Sequence, residues 1–294
     1  MKQAFVGNAL GEFGHMIPLV MPVLNAIKAK GYDLKFCGFK GHDIYLDRQI
    51  GGSPIDTFYG IDWWPEPRAG FISKHEPKNA LDILALNKNI YYWPMSIMSH
   101  QDNYKFYCLH NKIVKRLVAP QISKYRNSIV IYPRCKTNSN YVSIEFWKYL
   151  IDRLFEKYTI YMAGISQETI SGLDNQNCFY IHQMPNMIDA HIDILNNCAA
   201  TICSVGGGVF LSVACGTPTL VIGPSVFSNI ADKSYPFHNL QFNPLGTVME
   251  YLVNSDINIM FLAAQDFLNR SSNDRSCVKD VVEIGPVELY KLHH

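Results

Sequence analysis

Residues 4 to 24 read AFVGNALGEFGHMIPLVMPVL, and this stretch decides the fold of the first half of the chain. A short apolar strand runs into a glycine-rich turn, which opens an apolar helix with one carboxylate, Glu12, at its start. A turn of this kind lies at the carboxyl end of the strand, where open α/β sheets bind their ligands. Glu12 is therefore predicted to act as a general base in such a crevice. The structural alternative is that Glu12 only caps the helix N-terminus.

The glycines of this turn argue against a nicotinamide cofactor. Gly7, Gly11 and Gly14 are spaced GxxxGxxG rather than GxGxxG, and the second predicted strand ends without the acid that would hold a ribose. Gly11 and Gly14 are instead predicted to let an acceptor substrate approach the backbone beside Glu12. His15 lies one helical turn after Glu12, so the two can share a ligand or a hydrogen bond. The alternative for His15 is a purely structural histidine.

A polar loop in the second half of the chain is the first candidate for an anion site. The apolar strand SIVIY (128–132) is followed by PRCKTNSNY, which places Arg134, Lys136 and Thr137 at the carboxyl end of that strand. Two cations and a hydroxyl ahead of a helix can supply the charge-assisted hydrogen bonds that a diphosphate requires.

A glycine run after another apolar strand, ATICS (200–204), is the second candidate anion site. It opens a predicted helix, so its backbone N–H groups can face an anion. The alternative is that the glycines only allow tight packing of the helix on the sheet. Together the two loops predict that the second half holds a nucleotide diphosphate. The residues predicted for the second site are Ser204, Gly206, Gly207 and Gly208.

Strands alternate with helices through most of the 294 residues, which predicts an α/β protein with a parallel sheet in each half. We expect two Rossmann-like domains that face each other across a cleft, residues 1–124 and residues 125–294, the latter including a C-terminal tail. Residues 52–100 are predicted to be irregular and aromatic. A helix over about residues 102–117 is expected to precede the linker.

Composition places the chain among globular proteins, since 48% of its residues are hydrophobic and 17% are charged. The eight cysteines show no CxxC pair or metal-ligand spacing, as expected of free thiols in a reducing compartment. No signal peptide is expected ahead of the first strand. The uncharged stretch 199–222 is interrupted by glycines and Pro218, so no membrane span is predicted. We therefore expect a cytoplasmic protein, or one of the host cytoplasm if the protein is viral.

The charges are distributed unevenly along the chain. Residues 1–127 contain 16 Lys and Arg against 10 Asp and Glu, a net charge of +6, and the remainder carries −5. An anionic partner for the first half would explain this asymmetry, with Lys112, Lys115 and Arg116 as candidates for phosphate contacts. Trp63 and Trp64 are candidates for acceptor contacts by stacking. Scattered solvated lysines and local aromatic packing are the alternatives.

Three segments, in the correct order, resemble the heptosyltransferase family of GT-B glycosyltransferases. GEFGHMIP (11–18) resembles the family's G-D-x-x-H-x-x-P opening, with Glu12 in place of the catalytic Asp. IYPRCKTNSNYVSIEFWKYLIDRL (131–154) resembles its phosphate-loop strand and helix. SVGGGVFLSVACGTPTLVIGPS (204–225) resembles its donor-binding loop, with Val205 and Phe210 where the family has an acid and a histidine.

The resemblance implies a metal-independent, inverting glycosyltransferase that uses a nucleotide sugar as co-substrate and needs no cofactor. No Asp-x-Asp pair, through which metal-dependent glycosyltransferases hold their cation, occurs in the chain. The family suggests an anionic glycan as acceptor. One alternative is a phage-type enzyme that glycosylates a hydroxymethylated base in DNA, which must be extruded into a pocket. The others are a nucleotide-sugar epimerase and a non-catalytic sugar-binding protein.

Overall fold

The chain divides into two compact units. The computed structural model describes residues 2–9, 16–61, 91–94, 110–133, 142–164, 170, 178–204, 206–223, 243–253 and 256–286. The first unit holds the chain up to Lys115 together with the segment from Val281 onward, and the second holds Arg116–Asp280. The boundary thus lies before the predicted position between residues 124 and 125. The tail returns to the first unit because its only described strand pairs there.

A parallel sheet of four strands forms the first unit. In chain order the strands are β1 (Gln3–Ala9), β2 (Asp33–Phe39), β3 (Thr57–Ile61) and β4 (Tyr91–Pro94). Their order across the sheet is β3-β2-β1-β4, and every neighbouring pair is parallel. Ala4, Phe5 and Val6 of β1 are fully buried, as expected of a central strand that is covered on both faces. Two of these strands, β3 and β4, lie in the segment that was predicted to be irregular, so that prediction was wrong for them.

The first helix follows β1 after residues 10–15. A π-helical turn over Met16–Val20 leads into helix α1 (Met21–Ala29). Gly31, with φ of +81°, follows the helix in the left-handed region that terminates helices. A short helix, α2 (His42–Asp47), follows β2.

A two-stranded antiparallel ladder completes the first unit. Strand β5 (Lys112–Lys115) pairs with the last strand of the chain, whose range is Val281–Ile284. The predicted helix over residues 102–117 was therefore wrong at its end. Lys112 is fully buried, and the Arg116 Nε lies 2.7 Å from Asp280 Oδ1. The prediction of a phosphate contact is thus wrong for Lys112, and Arg116 already has an anionic partner.

The second unit is built on a parallel sheet of six strands. In chain order these are β6 (Ser128–Tyr132), β7 (Thr159–Met162), β8 (Cys178–Tyr180), β9 (Ala200–Ser204), β10 (Thr219–Gly223) and β11 (Met249–Val253). Their order across the sheet is β11-β10-β9-β6-β7-β8, and all five neighbouring pairs are parallel. Every residue of β6, β9 and β10 is buried, which explains why their sequences are continuous apolar runs rather than alternating ones. The strand at Val281–Ile284, which pairs with β5 in the first unit, is β12.

Among the described residues of this unit, the α-helices are α3 (Ile144–Leu154), α4 (Met187–Asn197), α5 (Gly207–Ala214) and α6 (Ile257–Ser271). Helix α3 begins at Ser143, whose side chain accepts a hydrogen bond from the Phe146 N–H at 3.2 Å. Its Phe146, Trp147 and Leu150 are fully buried in the core that α3 and α6 form with the sheet. In the described part of the chain, no helix combines the length and the apolar character needed to cross a membrane.

The six described cysteines are all free thiols. Five of them are buried, and Cys277 is exposed. Burial raises the pKa of Cys178 to about 11 and that of Cys198 to about 12, because a thiolate loses its hydration inside the protein. These buried thiols therefore act as small apolar side chains rather than as nucleophiles.

Candidate functional site

The strand order of the second unit defines where a ligand can bind. Numbered within this unit, the six strands lie in the order 3-2-1-4-5-6, which is the order of dinucleotide-binding folds. From β6 the chain continues toward one edge of the sheet, and from β9 it continues toward the other. In sheets of this kind ligands bind at the carboxyl ends of the two neighbouring strands from which the connections run in opposite directions, and here those strands are β6 and β9. Both loops predicted to bind a diphosphate start here.

Ser204 joins the two strands at this point. It is the last residue of β9 and is almost fully buried. Its hydroxyl donates to the Pro133 carbonyl oxygen at 2.6 Å and lies 3.2 Å from that of Tyr132. A buried hydrogen bond of this kind contributes on the order of 1 kcal/mol and fixes the start of one loop against the start of the other. The direct contact of Ser204 with a diphosphate stays a prediction.

The start of helix α5 offers backbone donors. Gly206 is the N-cap residue, no side chain caps the helix, and its first turn contains no acidic residue. The Val209 N–H turns back to the Gly206 carbonyl at 3.1 Å. The first N–H groups of a helix have no carbonyl partner within it, and they carry the positive end of its dipole. The amides of Gly207 and Gly208 are thus suited to an anion such as a phosphate.

A glycine is needed at residue 208 for a steric reason as well, because the space beside it is filled by the Tyr132 ring. A Cβ atom built at this residue would lie 2.6 to 2.8 Å from three ring atoms of Tyr132, closer than real side chains allow. Tight packing of the helix on the sheet, the alternative weighed for these glycines, is therefore real at Gly208. Packing and anion binding do not compete, since the first uses the Cα hydrogen and the second the amide.

Tyr132 contacts a histidine that the sequence did not single out. The Tyr132 hydroxyl is hydrogen-bonded to Nε2 of His191, a residue of α4, and the two rings lie 5.4 Å apart between centroids. Burial lowers the pKa of His191 to about 3, because the charged imidazolium would lose its hydration. His191 is therefore neutral at physiological pH. In the sequence, Tyr132 is visible only as the end of an apolar strand.

The sheet of the first unit has its own point of divergence, between β1 and β4. The connection that leaves β1, residues 10–15, carries Glu12 and ends at the π-helical turn of Met16–Val20. The order of the elements is thus the one predicted for Glu12. The side chains predicted here, Gly11, Glu12, Gly14 and His15, lie outside the described residues.

Other predicted site residues are also outside the described part of the chain. These are Trp63 and Trp64 of the acceptor segment and Arg134, Lys136 and Thr137 of the diphosphate loop. Of that loop the structure describes the first residue, Pro133, which Ser204 holds. Among the described residues no group of three or more His, Cys, Asp and Glu side chains is arranged to hold a metal ion.

Comparisons with known proteins identify the fold. No protein-family model and no curated protein sequence matches the chain. The solved structure of E. coli ADP-heptose lps heptosyltransferase II is similar with a TM-score of 0.58 at 10% identity, over 92% of this chain and 99% of that one. The E. coli heptosyltransferase WaaC, solved with ADP, is similar with a TM-score of 0.57 at 10% identity, over 92% and 100%.

A protein of another class shares the fold. A Listeria monocytogenes protein proposed to be a UDP-N-acetylglucosamine 2-epimerase is similar with a TM-score of 0.53 at 10% identity, over 95% of this chain and 92% of that one. The predicted fold class is confirmed: the chain has the two Rossmann-like domains of GT-B glycosyltransferases. Because one fold hosts several activities, the function has to be argued from the site.

Proposed function

We propose that this protein is a glycosyltransferase that moves a sugar from a nucleotide sugar to an acceptor hydroxyl. The observation that carries the proposal is the uncapped glycine start of α5 at the point where the strand order of the second sheet reverses. Helix amides at this point of a doubly wound sheet receive the phosphates of nucleotide ligands. The likeness to WaaC, which is solved with ADP, supports a nucleoside diphosphate as the group that binds there.

In the proposed reaction Glu12 acts as the general base. Its carboxylate takes the proton of the acceptor hydroxyl while the acceptor oxygen attacks the anomeric carbon of the sugar. The bond from that carbon to the diphosphate breaks, and the electron pair stays on the departing phosphate oxygen. Attack on the side opposite the leaving group inverts the anomeric centre. His15 is proposed to share a hydrogen bond with Glu12 or with the acceptor.

The leaving diphosphate gains negative charge as the bond breaks. The amides of Gly207 and Gly208, fixed before the reaction, are suited to stabilise that charge. Arg134, Lys136 and Thr137 are proposed to add charge-assisted hydrogen bonds from the loop after β6. These groups can neutralise the diphosphate without a metal ion, and we propose a metal-independent reaction on that ground.

The proposed acceptor is an anionic glycan that meets the first unit through Gly11, Gly14, Trp63 and Trp64. This part of the proposal rests on the family resemblance and on the +6 charge of residues 1–127. The buried position of Lys112 removes one of the candidate phosphate contacts.

Binding measurements on variants test the donor site. Calorimetry with ADP, UDP and GDP should show that one of them binds and that Arg134→Ala and Lys136→Ala each weaken it about ten-fold or more, since a hydrogen bond to a charged group contributes roughly 1.5 to 3 kcal/mol. Lys148→Ala, which removes an exposed lysine from α3 in the same unit, is the matched control and should leave affinity unchanged. Unchanged affinity in both loop variants would place the donor elsewhere.

An epimerase is the second candidate, favoured by the likeness to the Listeria monocytogenes protein. An epimerase converts its nucleotide sugar without any acceptor. Incubation with the nucleotide sugar alone, followed by proton NMR, distinguishes the two functions. A new epimeric sugar resonance would identify an epimerase, whereas an unchanged nucleotide sugar that is consumed only when an acceptor is added identifies a transferase.

A further inference from the structure

The buried residues Tyr132 and His191 lie beside the candidate diphosphate site. The Tyr132 ring packs against Gly208 at the start of α5, and its hydroxyl is hydrogen-bonded to His191. We propose that the Tyr132–His191 hydrogen bond is a positioning device that holds the start of α5, and with it the amides of Gly207 and Gly208, in place for the diphosphate. The inference rests on the proposed function, in which this helix start receives the diphosphate. It adds two positioning residues from β6 and α4 to a site that the glycine loop alone would define.

The Tyr132 ring contacts the first turn of α5. The Tyr132 ring lies so close to Gly208 that a Cβ atom there would come within 2.6 Å of the ring. The backbone of the first turn of α5 therefore rests on the ring. A rotation of the ring toward the helix would have to displace that turn, and a rotation away would remove its support.

The orientation of the Tyr132 ring is fixed by its buried partner, His191. Tyr132 is 6% exposed and His191 is 8% exposed, so neither polar group can exchange its partner for bulk water freely. The Tyr132 hydroxyl is bonded to His191 Nε2, and the planes of the two rings are inclined by 32°. Leaving either buried group without a partner would cost more than the bond itself contributes, so the pair favours one ring orientation.

Tyr132 is also linked, through its backbone, to the end of the neighbouring strand β9. The backbone carbonyl oxygen of Tyr132 lies 3.2 Å from the Ser204 hydroxyl, which donates a hydrogen bond to the Pro133 carbonyl oxygen at 2.6 Å. Tyr132 thus touches α5 through its ring, α4 through its hydroxyl and the end of β9 through its backbone. Gly208, in the first turn of α5 and four residues after the end of β9, packs against the Tyr132 ring.

Such a support affects binding because helix amides act on an anion through their direction and distance. Donors that are fixed before the ligand arrives need no reorganisation when it binds. Loss of the supporting bond should leave the helix folded but less well placed, since sites whose supporting residues are loose lose affinity. The expected signature is weaker diphosphate binding in a protein that stays folded.

Four variants test the proposal, with inorganic pyrophosphate, ADP, UDP and GDP as probes in calorimetry. Tyr132→Phe keeps the ring and removes only the hydroxyl, and His191→Leu removes its partner. His191→Gln retains a polar group near the position of Nε2. Ile160→Val is the matched control, because it trims the core on the other face of the same sheet and does not touch α5.

We expect Tyr132→Phe and His191→Leu each to weaken the binding of pyrophosphate and of the preferred nucleotide by about three- to ten-fold, as the loss of one buried hydrogen bond implies. His191→Gln should recover most of that loss, and Ile160→Val should bind like the wild type although it is less stable. A double variant, Tyr132→Phe with His191→Leu, should be little weaker than either single one because both remove the same bond.

The outcomes separate this inference from the proposed function. A wild type that binds a probe, together with variants that bind it equally well, would overturn the positioning role and leave the proposed function intact. Equal losses in Ile160→Val and Tyr132→Phe would also overturn it, because the effect would then follow stability alone. A wild type that binds none of the four probes would overturn both.

Discussion

The buried imidazole of His191 makes a quantitative prediction about stability and pH. Burial lowers its pKa to about 3 in the folded protein, whereas an exposed histidine in the unfolded chain titrates near 6.5. Below pH 6.5 the unfolded chain therefore binds a proton that the folded protein does not. Stability rises with pH wherever the unfolded state binds more protons, so His191 costs nothing above pH 6.5 and an increasing amount as the pH falls toward 3.

The magnitude follows from the two pKa values. Each pH unit in this window costs about 1.4 kcal/mol, so the folded protein should lose about 2 kcal/mol through His191 between pH 7 and pH 5. His191→Gln removes the titrating group and with it this loss. The stability difference between wild type and His191→Gln should therefore shift by about 2 kcal/mol in favour of the variant when the pH is lowered from 7 to 5.

Urea unfolding followed by circular dichroism at both pH values measures this shift. Ile160→Val, which trims the core on the other face of the same sheet and changes no titrating group, should differ from the wild type by the same amount at pH 7 and pH 5. A wild-type to His191→Gln difference that is equal at the two pH values would refute the reasoning, since it would mean that His191 is accessible to protons in the folded protein.

Three further predictions follow from the packing and the sequence. Gly208→Ala should destabilise the protein by about 1 to 3 kcal/mol in urea unfolding, because its methyl group would overlap the Tyr132 ring. The same variant should also weaken pyrophosphate binding. Gly285→Ala, whose methyl group would meet nothing within 4 Å, is the control and should be nearly neutral. A stable Gly208→Ala protein would contradict the close contact. Cys277→Ser should remove one fast-reacting thiol from a titration with a thiol reagent in the native protein, whereas Cys198→Ser should not, because Cys198 is buried and its pKa is raised to about 12; loss of a fast thiol in Cys198→Ser would contradict this. Sugar transfer should persist in EDTA without added divalent cation, and complete inactivation that is reversed by metal would overturn the metal-independent proposal.

The parts of the fold that depend on local sequence could be predicted. SIVIY (128–132) and ATICS (200–204) are uncharged, largely apolar runs, and they form β6 and β9 over the expected residues. Strands buried on both faces carry a strong signal of this kind, since they exclude charged residues and are mostly apolar. The glycine run after ATICS likewise marks the start of α5.

The strands that form only by pairing with distant parts of the chain could not be predicted from the local sequence. Strand β5 has the sequence KIVK and falls in the predicted helix over residues 102–117, because its partner β12 lies near the other end of the chain and leaves no local signal. Strand β4 ends in Pro94 and consists otherwise of aromatic residues, and only its pairing with β1 makes it a strand. The local pattern carries no information about such partners.

Some residues of the candidate site could likewise be predicted from the sequence, and others could not. The glycines and Ser204 were visible because the residue types themselves suggest an anion cradle. Tyr132 and His191 were missed because they are 59 positions apart and meet only through the packing of α4 on the sheet. A tyrosine at the end of an apolar strand and a histidine within a helix carry no chemical signal until the fold brings them together.

The central claim is that Glu12 is the base of a sugar transfer whose donor is held by the second unit. The most direct test compares wild type and Glu12→Gln in two measurements: donor binding by calorimetry and transfer of a radiolabelled sugar to acceptor. We predict that Glu12→Gln binds the nucleotide sugar nearly as well as the wild type and transfers it at least about a hundred-fold more slowly, as loss of a general base requires. A loss of only a few-fold in transfer, with binding unchanged, would contradict the account.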